Sequence, residues 1–292
     1  MTNPKYVKSY QEDDQLRKSF NELAALTFGI NFERWYEKGY WTERFEPHSY
    51  VTDGKVIANV SVNKLELIIN NRRKKGIQIG TVMTHPDYRN RGLSKQLMNK
   101  VMQEYETHID VFYLYANNSV LDYYPKFGFQ KVNEHVFSMS YQGANNNQQF
   151  IHLNGENDQD LAFIYDFAKK RQPNSTQFST IHTDELLMFY SINVYPQSIV
   201  YLEEESVIVF YQIKGDTLHI LDVISNKAIN IYSILAKLAN ERIKKVVFEF
   251  TINNMLSTIK ATPLKSRETL FVKMKNGIDF PKVFKHPSLS QA

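Results

Sequence analysis

The chain has 292 residues, 42% hydrophobic and 23% charged, which fits a folded globular protein of about two domains. Its formal net charge is only +4, from 35 basic and 31 acidic residues, so no basic module is evident and no nucleic-acid partner is expected. It contains no cysteine, which excludes disulfides, thiolate metal sites and cysteine nucleophiles.

The eight histidines include no close pair at metal-ligand spacing, and no metal is expected. No apolar run is long enough to span a membrane, and Gln11 to Asp14 interrupts the N-terminus too early for a signal peptide. No membrane partner and a cytoplasmic location are therefore the default expectations.

Residues 14–28 carry Leu16, Phe20, Leu23, Ala24, Leu26 and Phe28, a spacing that predicts an amphipathic helix. Residues 32–38 predict a second, shorter one. Strands are expected at 49–52 and 55–69, around an Asp53-Gly54 turn. The basic run Arg72 to Lys75 reads as a solvated hairpin turn, with Asn70 and Asn71 before it and Gly76 after it. Residues 77–84 form the next strand, and His85, before Pro86, is expected to cap the turn. A helix over 93–105 follows, with Leu93, Leu97 and Val101 at four-residue intervals. A strand at 110–116, a short helix at 120–126 and one strand over 129–141 complete the first half.

The polar stretch 143–149 reads as a connection, giving domains at 1–143 and 158–292 with a linker at 144–157. The second half predicts helices at 158–171 and 184–190, strands at 198–203, 206–214 and 217–225, a helix at 229–241, and strands at 244–251 and 269–275. This order repeats that of the first half. The fold class is therefore α/β (α+β): a mixed, mostly antiparallel sheet flanked by helices, present twice.

Arg89, Asn90, Arg91, Gly92, Leu93 and Ser94 join a predicted strand to a predicted helix in the pattern Arg-x-x-Gly-x-Ser. A glycine turn that opens a helix exposes unpaired backbone N–H groups at the positive end of the helix dipole, a site suited to a pyrophosphate. A side chain at position 92 would keep a phosphate from the backbone, and Arg89 and Arg91 can add charge-assisted contacts. Residues 224–228, at the corresponding place in the second half, contain no glycine, so that copy is expected to be degenerate and not to bind the same ligand.

Three features in series resemble the GCN5-related N-acetyltransferase (GNAT) superfamily. They are residues 82–94 running from strand into glycine turn, Asn117 after the following strand, and Tyr123 to Phe129 with the pattern Tyr-Tyr-Pro-Lys-Phe-Gly-Phe. Ser94 stands where Gly or Ala is usual, and Pro125 is expected to tighten or break the turn near Tyr124. A proline after the tyrosine and a degenerate second GNAT-like domain are also similar to acetyltransferases of the enhanced-intracellular-survival type. Members of that group carry a third, sterol-carrier-like domain, for which this chain is too short. Their terminal carboxylate helps deprotonate the amine, a role not carried over here.

The resemblance implies an N-acetyltransferase that moves an acetyl group from acetyl-CoA to the primary amine of a small molecule by direct attack in a ternary complex. It implies that Val82, Met83 and Thr84 orient the thioester and pantetheine, that Arg89 to Ser94 hold the pyrophosphate, and that Asn117 bonds the pantetheine arm. Tyr124 is the candidate general acid, with Tyr123 as its rival. Phe32, Trp35 and Tyr36, with Tyr40 and Trp41, are candidates for an aromatic acceptor wall. Glu33 and Glu66 are candidates for the base. Alternative readings are a protein lysine or N-terminal acetyltransferase and a non-catalytic acetyl-CoA-binding module. The sequence gives no oligomeric state.

Overall fold

A computed structural model describes residues 3–144, 150–253 and 258–292; part of the expected linker, residues 145–149, lies outside the described residues. In chain order the elements are β1 (Lys5–Lys8), α1 (Asp14–Phe28), α2 (Glu33–Glu37), β2 (Phe45–Thr52), β3 (Lys55–Ile69), β4 (Arg72–Thr84), α3 (Leu93–Tyr105), β5 (Val111–Asn117), β6 (Gln130–Val132) and β7 (His135–Ser140). They continue with β8 (Ile151–Leu153), α4 (Asp158–Ala168), β9 (Phe178–Ile181), α5 (Asp184–Asn193), β10 (Ile199–Leu202), β11 (Val207–Lys214), β12 (Thr217–Ile224), α6 (Ile231–Leu238), β13 (Lys245–Phe248), β14 (Lys260–Pro263) and β15 (Glu268–Met274). Among the described residues no helix is long and apolar enough to cross a membrane.

Local chemistry explains the boundaries. Asp13 caps α1 by accepting from the Leu16 N–H at 3.0 Å, and Gly29, at φ 71°, ends it. The hairpin between β3 and β4 turns on Asn70 and Asn71, at φ 48° and 62°, and not on the basic run. A two-residue loop of type I′ needs left-handed backbone at both positions, which asparagine tolerates. Arg72 to Lys75 are therefore strand residues, paired with Glu66 to Ile69.

Two mixed, mostly antiparallel sheets flanked by helices make up the chain. The first has the order β1-β2-β3-β4-β5-β15-β6, with β9 also pairing β3; the second has the order β14-β7-β13-β12-β11-β10-β8. Each contains one parallel pair joined by a helical crossover: β4, α3, β5 in the first and β12, α6, β13 in the second. The expected repeat is thus present.

The two halves exchange strands. The segment 129–141, expected as one strand closing the first half, breaks at Asn133 and Glu134. Its second part, β7, crosses to the second sheet and lies between β13 and β14. In return β15, expected in the second half, enters the first sheet between β5 and β6. The short strand β8 falls inside the segment expected to be only linker. Alternating hydrophobicity shows that a segment is a strand but does not name its neighbours.

Apolar faces of α1 and α2 pack against α5 from the second half. Phe32, Trp35, Tyr40 and Trp41, expected as an acceptor wall, are all buried here. Trp35 is 1% exposed, its ring lies 6.2 Å from that of Phe189, and its indole N–H donates to the Glu185 carbonyl at 2.8 Å. Trp35→Ala is expected to destabilise the protein by about 3–5 kcal/mol, the range for truncating a large aromatic in a core. Denaturant unfolding read by far-UV circular dichroism measures it.

Candidate active site

The parallel pairing of β4 and β5 runs only from Gly76 with Val111 to Ile79 with Leu114. Beyond it the strands diverge. The register of β3 against β4 shifts between Asn59 and Ser61, opposite Gly80 to Met83, and Thr81 sits at φ 42°. For a β-branched residue such backbone costs on the order of 1–3 kcal/mol and needs support from its surroundings. Buried Asn59 supplies it, donating to the Thr81 carbonyl at 2.9 Å, while Thr81 Oγ1 donates to Ser61 Oγ at 2.6 Å. Asn59 in turn accepts from Ser49 Oγ at 2.8 Å. This bulge bends β4 away from β5 and frees one edge of residues 81–84.

A cleft of about 470 Å³ opens at the divergence. One wall is residues 79–84 of β4. The opposite wall is Tyr115, Ala116 and Asn117 of β5, followed by Val120, Tyr123 and Tyr124. Ser94 lines one end; Phe28, Ile30, Tyr190, Glu268, Gln291 and Ala292 line the rest.

Gly92 is the N-cap of α3 at φ 74°, and no side chain caps the first turn of that helix. A Cβ built on Gly92 would meet nothing within 4 Å, so only the backbone conformation, not crowding, asks for glycine here. Asn90 is also left-handed, at φ 62°. Arg89 donates to the Thr84 carbonyl at 3.3 Å, while Arg91 donates to the Asp87 carbonyl at 2.8 Å and lies 4.8 Å over the Tyr88 ring. His85 caps the intervening turn, its Nδ1 facing the Asp87 N–H at 3.4 Å.

The two tyrosines differ. Tyr123 shares a hydrogen bond with Ser94 Oγ at 2.9 Å. Tyr124 opens a short 3-10 turn with Pro125, ended by Gly128 at φ 84°, in keeping with the tightening expected from the proline. Its ring packs on Phe129 and Phe271, the latter from the exchanged strand β15, and it is 5% exposed. No hydrogen bond holds its hydroxyl among the described residues, and it lines the cleft. Burial raises its pKa above the ordinary phenol value, so it is protonated at neutral pH.

The remaining sequence candidates lie elsewhere. Glu33 accepts from Arg17 at 3.0 Å and from Asn21 at 2.8 Å, an arrangement that ties α2 to α1. Glu66, on β3, faces Arg73 at 3.5 Å. Tyr36 donates to Glu12 at 3.0 Å. None of these lines the cleft, and neither do Phe32 and Trp35.

The sequence reading missed the part of the cleft to which the second half contributes Tyr190, Glu268, Gln291 and Ala292. The segment after Phe284 runs beneath β4 and β5 and delivers Gln291 and Ala292 to the cleft. Gln78, fully buried on β4, donates to Tyr113 Oη at 3.2 Å and to the Ser290 carbonyl at 2.8 Å, and accepts from the Ala292 N–H at 2.8 Å. Gly80 leaves room for this segment, since a Cβ there would lie 3.3 Å from the Ala292 carbonyl carbon. Tyr190 donates to the Gln291 carbonyl at 2.7 Å, and Gln291 donates to Glu268 at 2.6 Å. A glutamine inside an apolar strand is the signal available in the sequence, since buried amides require partners.

His286 anchors this segment, with Nε2 3.1 Å from Tyr113 Oη. Burial, with Lys285 next to it, lowers its pKa to about 3. The folded state thus holds it neutral, while the unfolded chain protonates it near pH 6.5. Its contribution to stability is complete above pH 6.5 and declines as pH falls toward 3, by about 1.4 kcal/mol per pH unit. His286→Gln is expected to flatten the loss of melting temperature between pH 6.5 and 4, as measured by calorimetry.

Residues 7–132 match the acetyltransferase (GNAT) domain family. This part of the chain is a GNAT acetyltransferase domain, and the protein is an acyltransferase. Solved structures share the fold across nearly the whole chain. A conserved protein of unknown function from Enterococcus faecalis covers 94% of this chain, over 72% of its own, with TM-score 0.62 and 14% identity. A GCN5-related N-acetyltransferase from Kribbella flavida covers 93%, over 72% of its own, with TM-score 0.57 and 14% identity. Eis1 from Mycobacterium abscessus covers 92%, over 73% of its own, with TM-score 0.57 and 10% identity. No curated protein matches the sequence.

Proposed function

We propose that this GNAT protein transfers an acetyl group from acetyl-CoA to the primary amine of a small molecule, by direct attack in a ternary complex. The observation that carries the reading is one cleft that runs from Ser94, in the first turn of α3 and two residues after Gly92, past the free edge of β4, to Tyr124. The α3 amides with Arg89 and Arg91 suit the diphosphate. Residues 82–84 and Asn117 offer polar backbone and amide groups to the pantetheine. Acetyl-CoA supplies the activated thioester.

Tyr124 is placed in this reading as the proton donor to the departing thiolate, with its high pKa keeping the proton available. Tyr123, already bonded to Ser94, steadies the start of α3. The acceptor side is walled by Phe28, Ile30, Tyr190 and Gln291, which suits a small molecule better than an extended peptide. Glu33 and Glu66, which do not line the cleft, are given no role in this reading.

The test pairs thermal shift with thiol release across a panel of amines. Acetyl-CoA at 100 times its dissociation constant is expected to stabilise the protein by about 2.7 kcal/mol. Thiol release with at least one small amine supports the proposal. A shift without release from any amine points to a binding module, and release with peptide lysines alone points to a protein acetyltransferase.

A further inference from the structure

The second half contains the same strand divergence as the first. β12 and β13 pair in parallel only from Thr217 with Lys245 to Ile220 with Phe248, a run as short as that of β4 with β5. The register of β11 against β12 shifts between Phe210 and Tyr211, opposite Ile220 to Asp222, as that of β3 against β4 does opposite Gly80 to Met83. In the first half the divergence opens the cleft. In the second half the chain fills it with its own residues.

Two features close the second copy. The Asn230 side chain accepts from the Tyr232 N–H at 3.1 Å and the Ser233 N–H at 3.4 Å, so amides left uncapped in α3 are taken in α6. Beyond Phe248 the edge of β13 passes from β12 to residues 285–288. The Glu249 N–H still donates to the Ile220 carbonyl at 2.9 Å, but the Glu249 carbonyl accepts from the Ser288 N–H at 3.0 Å and from Ser288 Oγ at 3.1 Å. Buried Thr251 grips the main chain of Lys285: its N–H and its Oγ1 donate to the Lys285 carbonyl at 3.0 and 2.8 Å, and its Oγ1 accepts from the Lys285 N–H at 2.8 Å. The segment then passes Ser290, which accepts from Thr180 Oγ1 at 2.8 Å, and brings Gln291 and Ala292 into the cleft. Thr251 itself does not line the cleft.

We propose that the second half's copy of the cleft has become a socket for residues 285–288, and that Thr251 is a positioning residue whose bonds to Lys285 fix Gln291 on the acceptor side of the first cleft. The inference rests on the amine-acetylation reading above. Thr251→Val keeps the shape of the side chain but leaves the buried Lys285 N–H without a partner, a penalty relieved when the segment moves. Such a movement displaces Gln291, six residues on, and leaves the α3 turn in place. The second half thus acts on the acceptor through a segment seated where the first half seats a ligand.

The test has two arms. Hydrogen–deuterium exchange of peptides covering residues 285–292 is measured in the protein without ligand, and thiol release is measured with the amine of the panel above that the wild-type protein turns over fastest. Thr251→Val is expected to speed exchange in that segment and to raise KM for the amine about tenfold, with kcat and the acetyl-CoA dissociation constant nearly unchanged. Thr251→Ser, which keeps the hydroxyl, is expected to restore both. Ser288→Ala, which removes one bond from the same segment, is expected to move both in the same direction by less. Ile234→Val, in the core beneath α6, controls for lost stability and is expected to leave KM unchanged. Wild-type exchange and KM in Thr251→Val overturn the inference. So does an equal loss of acetyl-CoA affinity, or a failure of Thr251→Ser to restore KM, either of which would mark Thr251 as a residue of general stability. If the wild-type protein releases thiol with no amine, the amine reading fails and the positioning role with it, while the exchange arm still decides whether Thr251 holds the segment.

Discussion

Glu in place of Gly92 is expected to raise the dissociation constant of acetyl-CoA at least a hundredfold, an effect of about 2.7 kcal/mol, while the protein still folds. Gly92 sits at φ 74° with open space around its missing Cβ, so the substitution meets no neighbour. The folded state loses roughly 1 kcal/mol from forcing a side chain into left-handed backbone. Binding loses far more. The new carboxylate stands beside the uncapped amides of α3, where the diphosphate is proposed to dock, and repels it. Gly92→Asn is the control, because asparagine accepts this φ and adds no charge. Isothermal titration with acetyl-CoA measures both. Undiminished affinity in Gly92→Glu would place the diphosphate elsewhere.

The second large effect is expected from Tyr124→Phe. Turnover should fall at least tenfold, and general acid–base groups commonly contribute 10²–10⁴-fold. Acetyl-CoA affinity should be preserved, because the ring that packs on Phe129 and Phe271 is retained. Single-turnover rates separate chemistry from binding. Tyr123→Phe is the comparison: it removes the bond to Ser94 and should weaken acetyl-CoA binding more than it slows the chemical step. If Tyr124→Phe turns over at the wild-type rate, the proton comes from another group.

Much of the proposed donor side was legible in the sequence, because its determinants are local. A helix cap, a glycine turn and a strand ended by His85-Pro86 act over a few residues, and α1 begins and ends where its cap and Gly29 dictate. Gly92, Ser94, Asn117 and Tyr124 fall within about 30 residues of one another on consecutive elements. The order of elements in the two halves also showed that the fold is repeated.

The proposed acceptor side was not legible, because it is made by contacts across the whole chain. Trp35 and Phe32 have the composition of a binding wall, yet burial against Phe189 makes them a core. Glu33 has the chemistry of a base, yet Arg17 and Asn21 hold it in place. Glu268 and Gln291 lie far from the acetyltransferase motif; the exchange of β7 for β15 brings Glu268 to the cleft, and the segment after Phe284 brings Gln291. By itself the sequence determined most of the helical and strand segments, that they occur as a repeated pair, and that a glycine turn opens α3. Tertiary structure alone decided which strand neighbours which and which polar side chains keep access to the cleft. The physical reason is that hydrogen bonding along a strand edge is nearly the same for every sequence, so the choice of partner falls to packing between distant residues.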